Sequence, residues 1–181
     1  MIQSNCLETA KLKLLRELFA SATHDASTAM CRWTNSVISL TLDEVHEMSL
    51  EDACNDLHVG EELLTMVVLN LEGELGGSMV LTFSESDGRR LAASLLQTEI
   101  NPGPDWNEME QSALAETGNI LGCAYVNALT RLIDQPLVPS APYFLQDFGM
   151  SVVEQALVAQ AAARDTVLIC RTCFKQEGEE L

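Results

Sequence analysis

The chain has 181 residues and carries ten Lys and Arg against 27 Asp and Glu, a formal net charge of −17. That charge excludes nucleic acid and anionic membrane as partners, because both are held by clustered Lys and Arg that release counterions. Apolar residues make up 47% of the chain, enough to build a core and too many for an acidic disordered segment.

The amino-terminal run MIQSNCLETAKLKLL lacks the apolar core of a signal peptide. No apolar stretch approaches the length of a membrane span. A cytoplasmic protein with reduced thiols is therefore expected. Leu15, Leu18, Ala22, Ala26, Ala29 and Trp33 recur in steps of three and four, which predicts an amphipathic helix over 12–33. Residues 37–45 alternate as a strand, and 49–57 read as a short helix. Two apolar strands follow at 63–71 and 78–83, with Gly73, Gly76 and Gly77 between them in a hairpin pattern. Ser84 is placed as the N-cap of a helix reaching about Gln97. The run Asn101-Pro102-Gly103-Pro104 is the clearest breaker in the chain.

Beyond it the pattern begins again. Residues 108–133 are predicted helical, with Leu114, Leu121, Tyr125, Ala128 and Leu132 on one stripe. An extended stretch passes through Pro136, Pro139 and Pro142, then a helix is expected over 151–163 and a strand over 166–174. Trp33 and Trp106, near helix ends, are expected to anchor packing. Laid on the first half, the second puts Leu114 on Leu15, Glu116 on Glu17, Ala128 on Ala29 and Arg131 on Arg32. The chain thus reads as one domain, 1–181, made of two diverged copies at about 8–99 and about 105–181. The second copy ends in a polar tail, Gln-Glu-Gly-Glu-Glu-Leu, where a strand is due. Either the repeat is incomplete or the chain is a piece of something longer. The expected fold class is α+β: two long helices, related by a pseudo-twofold, packed on a mostly antiparallel sheet.

At roughly 100° per residue, the apolar stripe of the second long helix leaves Ser112, Glu116, Asn119 and Cys123 on its opposite side. Glu116 and Asn119 are i, i+3 neighbours and can address one target together. Gly118 and Gly122 lie inside the same helix, each costing roughly 1 kcal/mol against alanine. Two reasons are open: a close approach to the helix backbone, or tight packing of the other repeat's helix. By itself, Glu-x-x-Asn is a common solvated face. Cys170 and Cys173 form a lone Cys-x-x-Cys, but on a strand they point to opposite faces and cannot share a metal. His24, His46 and His58 are isolated in sequence, and no catalytic metal or phosphate-cradling motif occurs. No metal site is expected.

Together, Ser112, Glu116, Asn119 and Pro142 fit the pattern Asp/Ser-x3-Glu-x2-Asn-x22-Pro residue for residue. The pattern resembles the signature of the CheC/CheX/FliY family of chemotaxis response-regulator phosphatases. The runs LEGELGGSMVLTF and SALAETGNILGCAYVNAL look like segments of the first and second repeats of CheC. The resemblance spans essentially the whole chain and is greatest to CheC. It implies hydrolysis of the aspartyl phosphate of a CheY-type response regulator, with Glu116 and Asn119 catalytic and Ser112 and Pro142 supporting. In that scheme Asn119 orients a water, since an amide both donates and accepts, and Glu116 pairs with a lysine of the regulator. The regulator carries the Mg2+, and the chain has no cofactor of its own.

The first-half equivalents are Lys13, Glu17, Ala20 and His24, with Asp43 where proline is expected. Ala20 cannot orient a water, so the first site, Glu17 and Ala20, is degenerate and one working site is expected. Two non-catalytic roles stay open on the same resemblance. One is a binding or scaffold module for a response regulator or a CheD-like deamidase; the other is a structural component related to the flagellar switch.

Overall fold

The computed structural model describes residues 2–35, 38–49, 52, 63–73, 77–148, 151 and 166–181. The three- and four-residue apolar steps of the first half fold as α1, Ile2–Trp33, which starts ten residues before the predicted helix. Leu15, Ala22 and Ala26 are buried as the period requires, and Phe19, Thr23 and Met30 join them on the same face. Trp33 does not anchor packing: it is 44% exposed at the last turn. Strand β1, Ile38–Ser49, follows and carries a bulge between Leu42 and Glu44. The expected helix over 49–57 lies outside the described residues, apart from its ends at Ser49 and Asp52.

Strands β2, Leu63–Glu72, and β3, Gly77–Ser84, form the expected antiparallel hairpin. Six consecutive residues of β2, from Leu64 to Leu69, are buried, so this strand is covered on both faces. Ser84 caps α2, Glu85–Leu96, by accepting from the Asp87 amide, and the helix closes at Gln97 in a left-handed conformation. After the proline-rich breaker comes α3, Glu108–Ile133. Asn107 starts it with a capping box. Its side chain accepts from the Glu110 amide, while the Glu110 carboxylate accepts from the Asn107 amide at 2.9 Å.

The same Glu110 is 4% exposed and faces Arg89 at 3.8 Å. Arg89 donates to the Pro104 and Asp105 carbonyls and lies 4.3 Å over the Trp106 ring, which packs in turn on Phe144. Trp106 is thus the buried anchor its position predicts. This clasp from α2 to α3 holds the 101–106 loop.

The proline-rich stretch is more regular than expected. It contains β4, Val138–Pro139, and β5, Tyr143–Phe148, both antiparallel to β2. The expected helix over 151–163 lies outside the described residues, apart from Ser151. Strand β6, Thr166–Gln176, runs antiparallel to β1 along nearly its whole length, from Ile38 opposite Gln176 to Ser49 opposite Thr166. The polar tail does form a strand. Glu177 and Gly178, both at positive φ, make a two-residue turn into β7, Glu179–Glu180, which pairs back on β6.

The described pairings are antiparallel throughout and fall into two sheets, β1–β6–β7 and β3–β2–β4 with β5 also on β2. The fold is α+β, as the sequence predicts. Helices α1 and α3 pack on each other: Phe19 and Tyr125 meet edge to face at 5.2 Å, and Thr23 Oγ1 lies 2.8 Å from the Tyr125 hydroxyl. The Tyr125 hydroxyl also lies 3.0 Å from Thr172 Oγ1 on β6. Burial pushes the Tyr125 phenol up, against the pull of its Thr172 and Thr23 hydrogen bonds.

Gly118 and Gly122 serve a close approach to the helix backbone, and what approaches is the sheet rather than the other repeat's helix. A Cβ on Gly118 would run into the Val67 side chain, and one on Gly122 would stand 2.8 Å from Leu69 Cδ2. Both residues face β2, so α3 lies against the sheet where the glycines remove side chains. Leu114, Leu121, Tyr125 and Ala128 are buried on the predicted stripe, whereas Leu132, in the last turn, is 39% exposed.

Candidate functional site

The core stripe of α3 fixes what its other side presents. With Leu114, Leu121 and Tyr125 held inward, Ser112 and Glu116 are exposed one turn apart, and Asn119 and Cys123 continue the line half-buried. Glu116 and Asn119 come together: Asn119 Nδ2 donates to Glu116 Oε2 at 3.4 Å. One turn on, Cys123 Sγ lies 3.6 Å from Asn119 Oδ1 as donor. Burial, and after it the Glu116 charge, pushes the Cys123 thiol up, so it keeps its proton at neutral pH and remains a donor.

Ser112 stands on the same face, one turn before Glu116. Pro142 sits apart in the chain, half-buried between β4 and β5, the strands that flank the end of β2. Its ring supplies no donor, and its place is on the scaffold beside α3.

The first-half equivalents lie on the exposed face of α1. Lys13, Glu17, Ala20 and His24 are all solvent-facing, and Lys13 Nζ is 3.9 Å from Glu17 Oε1. The carboxylate there has its cation on its own helix, and no amide follows it. Asp43, in the place of the proline, is exposed at the β1 bulge.

A feature that the motif does not announce adjoins Asn119. A cleft of about 370 Å³ opens between α1 and α3. Five of its thirteen lining residues are alanine, Ala22, Ala26 and Ala29 from α1 and Ala124 and Ala128 from α3, and polar side chains share the lining with them. Asn119 and Cys123 form part of one wall, and Asp25 and Arg131 bring opposite charges to the lining. The density of alanine on facing turns of two long helices is the sequence signal for it.

Cys170 is half-buried against the cluster beneath α1 and α3, and burial pushes its thiol up to about 12. Burial, and after it the charges of Glu180 and Asp43, pushes the Cys173 thiol up as well. Among the described residues, no group of three or more His, Cys, Asp or Glu could hold a metal ion. Among them, too, no helix is long and apolar enough to cross a membrane.

No family model matches the chain. It is similar to the CheY-P phosphatase CheC of Bacillus subtilis, at 24% identity over 97% of this chain and 86% of that protein. In fold it is similar to Thermotoga maritima FliY, with a TM-score of 0.72 at 16% identity, covering 93% of this chain and 84% of FliY. It is also similar in fold to a chain of the CheX-CheY-BeF3-Mg+2 complex from Borrelia burgdorferi. There the TM-score is 0.53 at 17% identity, over 90% of this chain and 92% of that one. The chain is thus similar to CheC along its sequence and to FliY and a chain of the CheX-CheY complex in its fold.

Proposed function

We propose that the chain is a response-regulator phosphatase that hydrolyses the aspartyl phosphate of a CheY-type regulator at Glu116 and Asn119. The observation that carries this reading is the hydrogen-bonded pair of these two side chains on the open face of α3. The likeness to a CheC protein described as a CheY-P phosphatase supports it.

The bond inventory of Asn119 says how it would act. An amide has two N–H donors and two acceptor lone pairs. Glu116 takes one donor and the Cys123 thiol one lone pair. One donor and one acceptor remain, the pair needed to hold a water in a chosen orientation without removing its proton. That water attacks the phosphorus, the phosphorus–oxygen bond to the regulator's aspartate breaks, and the carboxylate leaves. Inorganic phosphate is released. An acyl phosphate is already reactive, so the gain lies in alignment, as with the water-positioning glutamine of GTPases. Glu116 Oε2 is engaged with Asn119, which leaves Oε1 to pair with a lysine of the regulator. The Mg2+ belongs to the regulator. Ser112 supports the site from the turn before it, and Pro142, between β4 and β5, takes its supporting role from the motif.

The first site, with Ala20 in place of the amide and Glu17 facing Lys13, does not turn over in this reading. The test is phosphate release from a phosphorylated CheY-type regulator in magnesium buffer. Asn119→Ala is expected to reduce the accelerated rate to the regulator's own, and Glu17→Ala to leave it within about twofold, the scale of an ordinary surface substitution. Equal losses in the two variants would refute the one-site assignment. Binding by the wild-type chain without faster release would make it a docking module for the regulator, and a CheD-like protein would then be the next partner to try.

A further inference from the structure

We infer that the cleft between α1 and α3 is a docking pocket for an apolar side chain of the phosphorylated regulator, an inference that rests on the phosphatase reading of Asn119. Continuity is the first argument. Asn119 and Cys123 form part of the cleft wall, so a group seated there lies against the amide that orients the water.

Chemistry is the second. At about 370 Å³ the cleft falls within the range of binding pockets, roughly 300–1,000 Å³, and its alanines offer apolar contact with little side-chain freedom to lose. The chain carries −17 and cannot draw an acidic regulator by long-range attraction. Adhesion has to come from contact, and this cleft supplies apolar contact at the site itself. Arg131, in the last turn of α3, and Asp25 on α1 bring opposite charges to the lining, so these two residues add no net charge of their own against an acidic partner.

The same assignment gives α1 a role. Its motif-equivalent stripe, Lys13 to His24, faces solvent, whereas the face bearing Ala22, Ala26 and Ala29 lines the cleft. Helix α1 contributes a wall to the working site and no catalytic residue.

Filling the cleft tests this. Ala29→Leu, from the α1 wall, and Ala124→Leu, from the α3 wall, are made separately, each with its thermal midpoint measured. Dephosphorylation is followed over a range of phosphorylated-regulator concentrations. Each filling variant is expected to raise KM about tenfold while kcat stays near wild type, the scale set by a few methylenes in an apolar pocket. Asn119→Ala is expected to lose the accelerated release while still binding the beryllofluoride-activated regulator. Unchanged KM in both folded variants, with wild-type turnover intact, overturns the pocket and leaves the phosphatase reading standing. A change in self-association with unchanged KM assigns the cleft to a second copy and likewise overturns the proposal.

Affinity for the beryllofluoride-activated regulator separates the two claims. If the wild type binds but does not accelerate release, and Ala29→Leu weakens that binding, the pocket stands and the catalytic reading falls. If the wild type does not bind, both fall.

Discussion

Cys170 and Cys173 lie on one strand, yet only Cys170 is packed into the cluster under the two long helices. Its thiol is pushed up to about 12 by burial, from an ordinary value near 9. Between those values the unfolded chain has released this proton and the folded chain has not. The unfolded state then binds fewer protons, so stability falls as pH rises from about 9 towards 12. Cys170→Val should flatten that part of a stability–pH curve from chemical denaturation, although Cys123, Cys173 and Tyr125, also raised, keep some slope. An identical slope in the variant would locate the loss elsewhere. At this scale the polar face of α3 was legible, because helical periodicity alone puts Ser112, Glu116 and Asn119 on one side. The Cys123 bond to Asn119 follows from the same spacing but needed side-chain geometry to be seen. Nothing local in Arg89 or Glu110 announces that they meet across the 101–106 loop, since that contact depends on how α2 and α3 are set against each other.

Among the elements, α3 was read to its ends: a capping side chain at Asn107, a consistent stripe and a closing Asp134 in a left-handed turn are all local signals. Strand β5 was passed over because the prolines around it carry a breaker signal, while its pairing with β2 is non-local. The tail strand β7 was missed for a related reason. Its two acidic residues have no strand propensity, and the Glu177–Gly178 turn alone brings them onto β6. That the glycines of α3 allow a close approach is legible in sequence; that β2 is the neighbour is not, because sequence shows a missing side chain without showing what occupies its place. Gly118→Ala is therefore an element-scale prediction. The added methyl collides with Val67, fully buried on β2, at an overpacking cost of about 1–3 kcal/mol, from which better helix propensity returns roughly 1. Urea denaturation should show a net loss of up to about 2 kcal/mol. Gly122→Ala should cost less, since it meets only the end of the Leu69 side chain.

For the whole molecule, the net charge of −17 has its consequence in how association responds to salt. Regulator phosphorylation sites are acidic, so the long-range force between the partners is repulsive and screening relieves it. Raising ionic strength to about 0.5 M, where the screening length is only a few ångströms, should leave KM for the phosphorylated regulator unchanged or lower. A KM that climbs steeply with salt would mean that attractive charge pairs dominate the interface.

The pairing of β1 with β6 carries one more consequence. Strand β1 finds its described ladder partner, β6, in the other half of the chain, and Tyr125 reaches both Thr23 and Thr172. The halves on either side of the Pro102–Gly103 bond are thus mutually templating rather than self-sufficient. Two separate polypeptides, 1–102 and 103–181, should each be poorly structured alone and regain native circular dichroism when mixed. An antiparallel seam would then do the joining that the backbone does now.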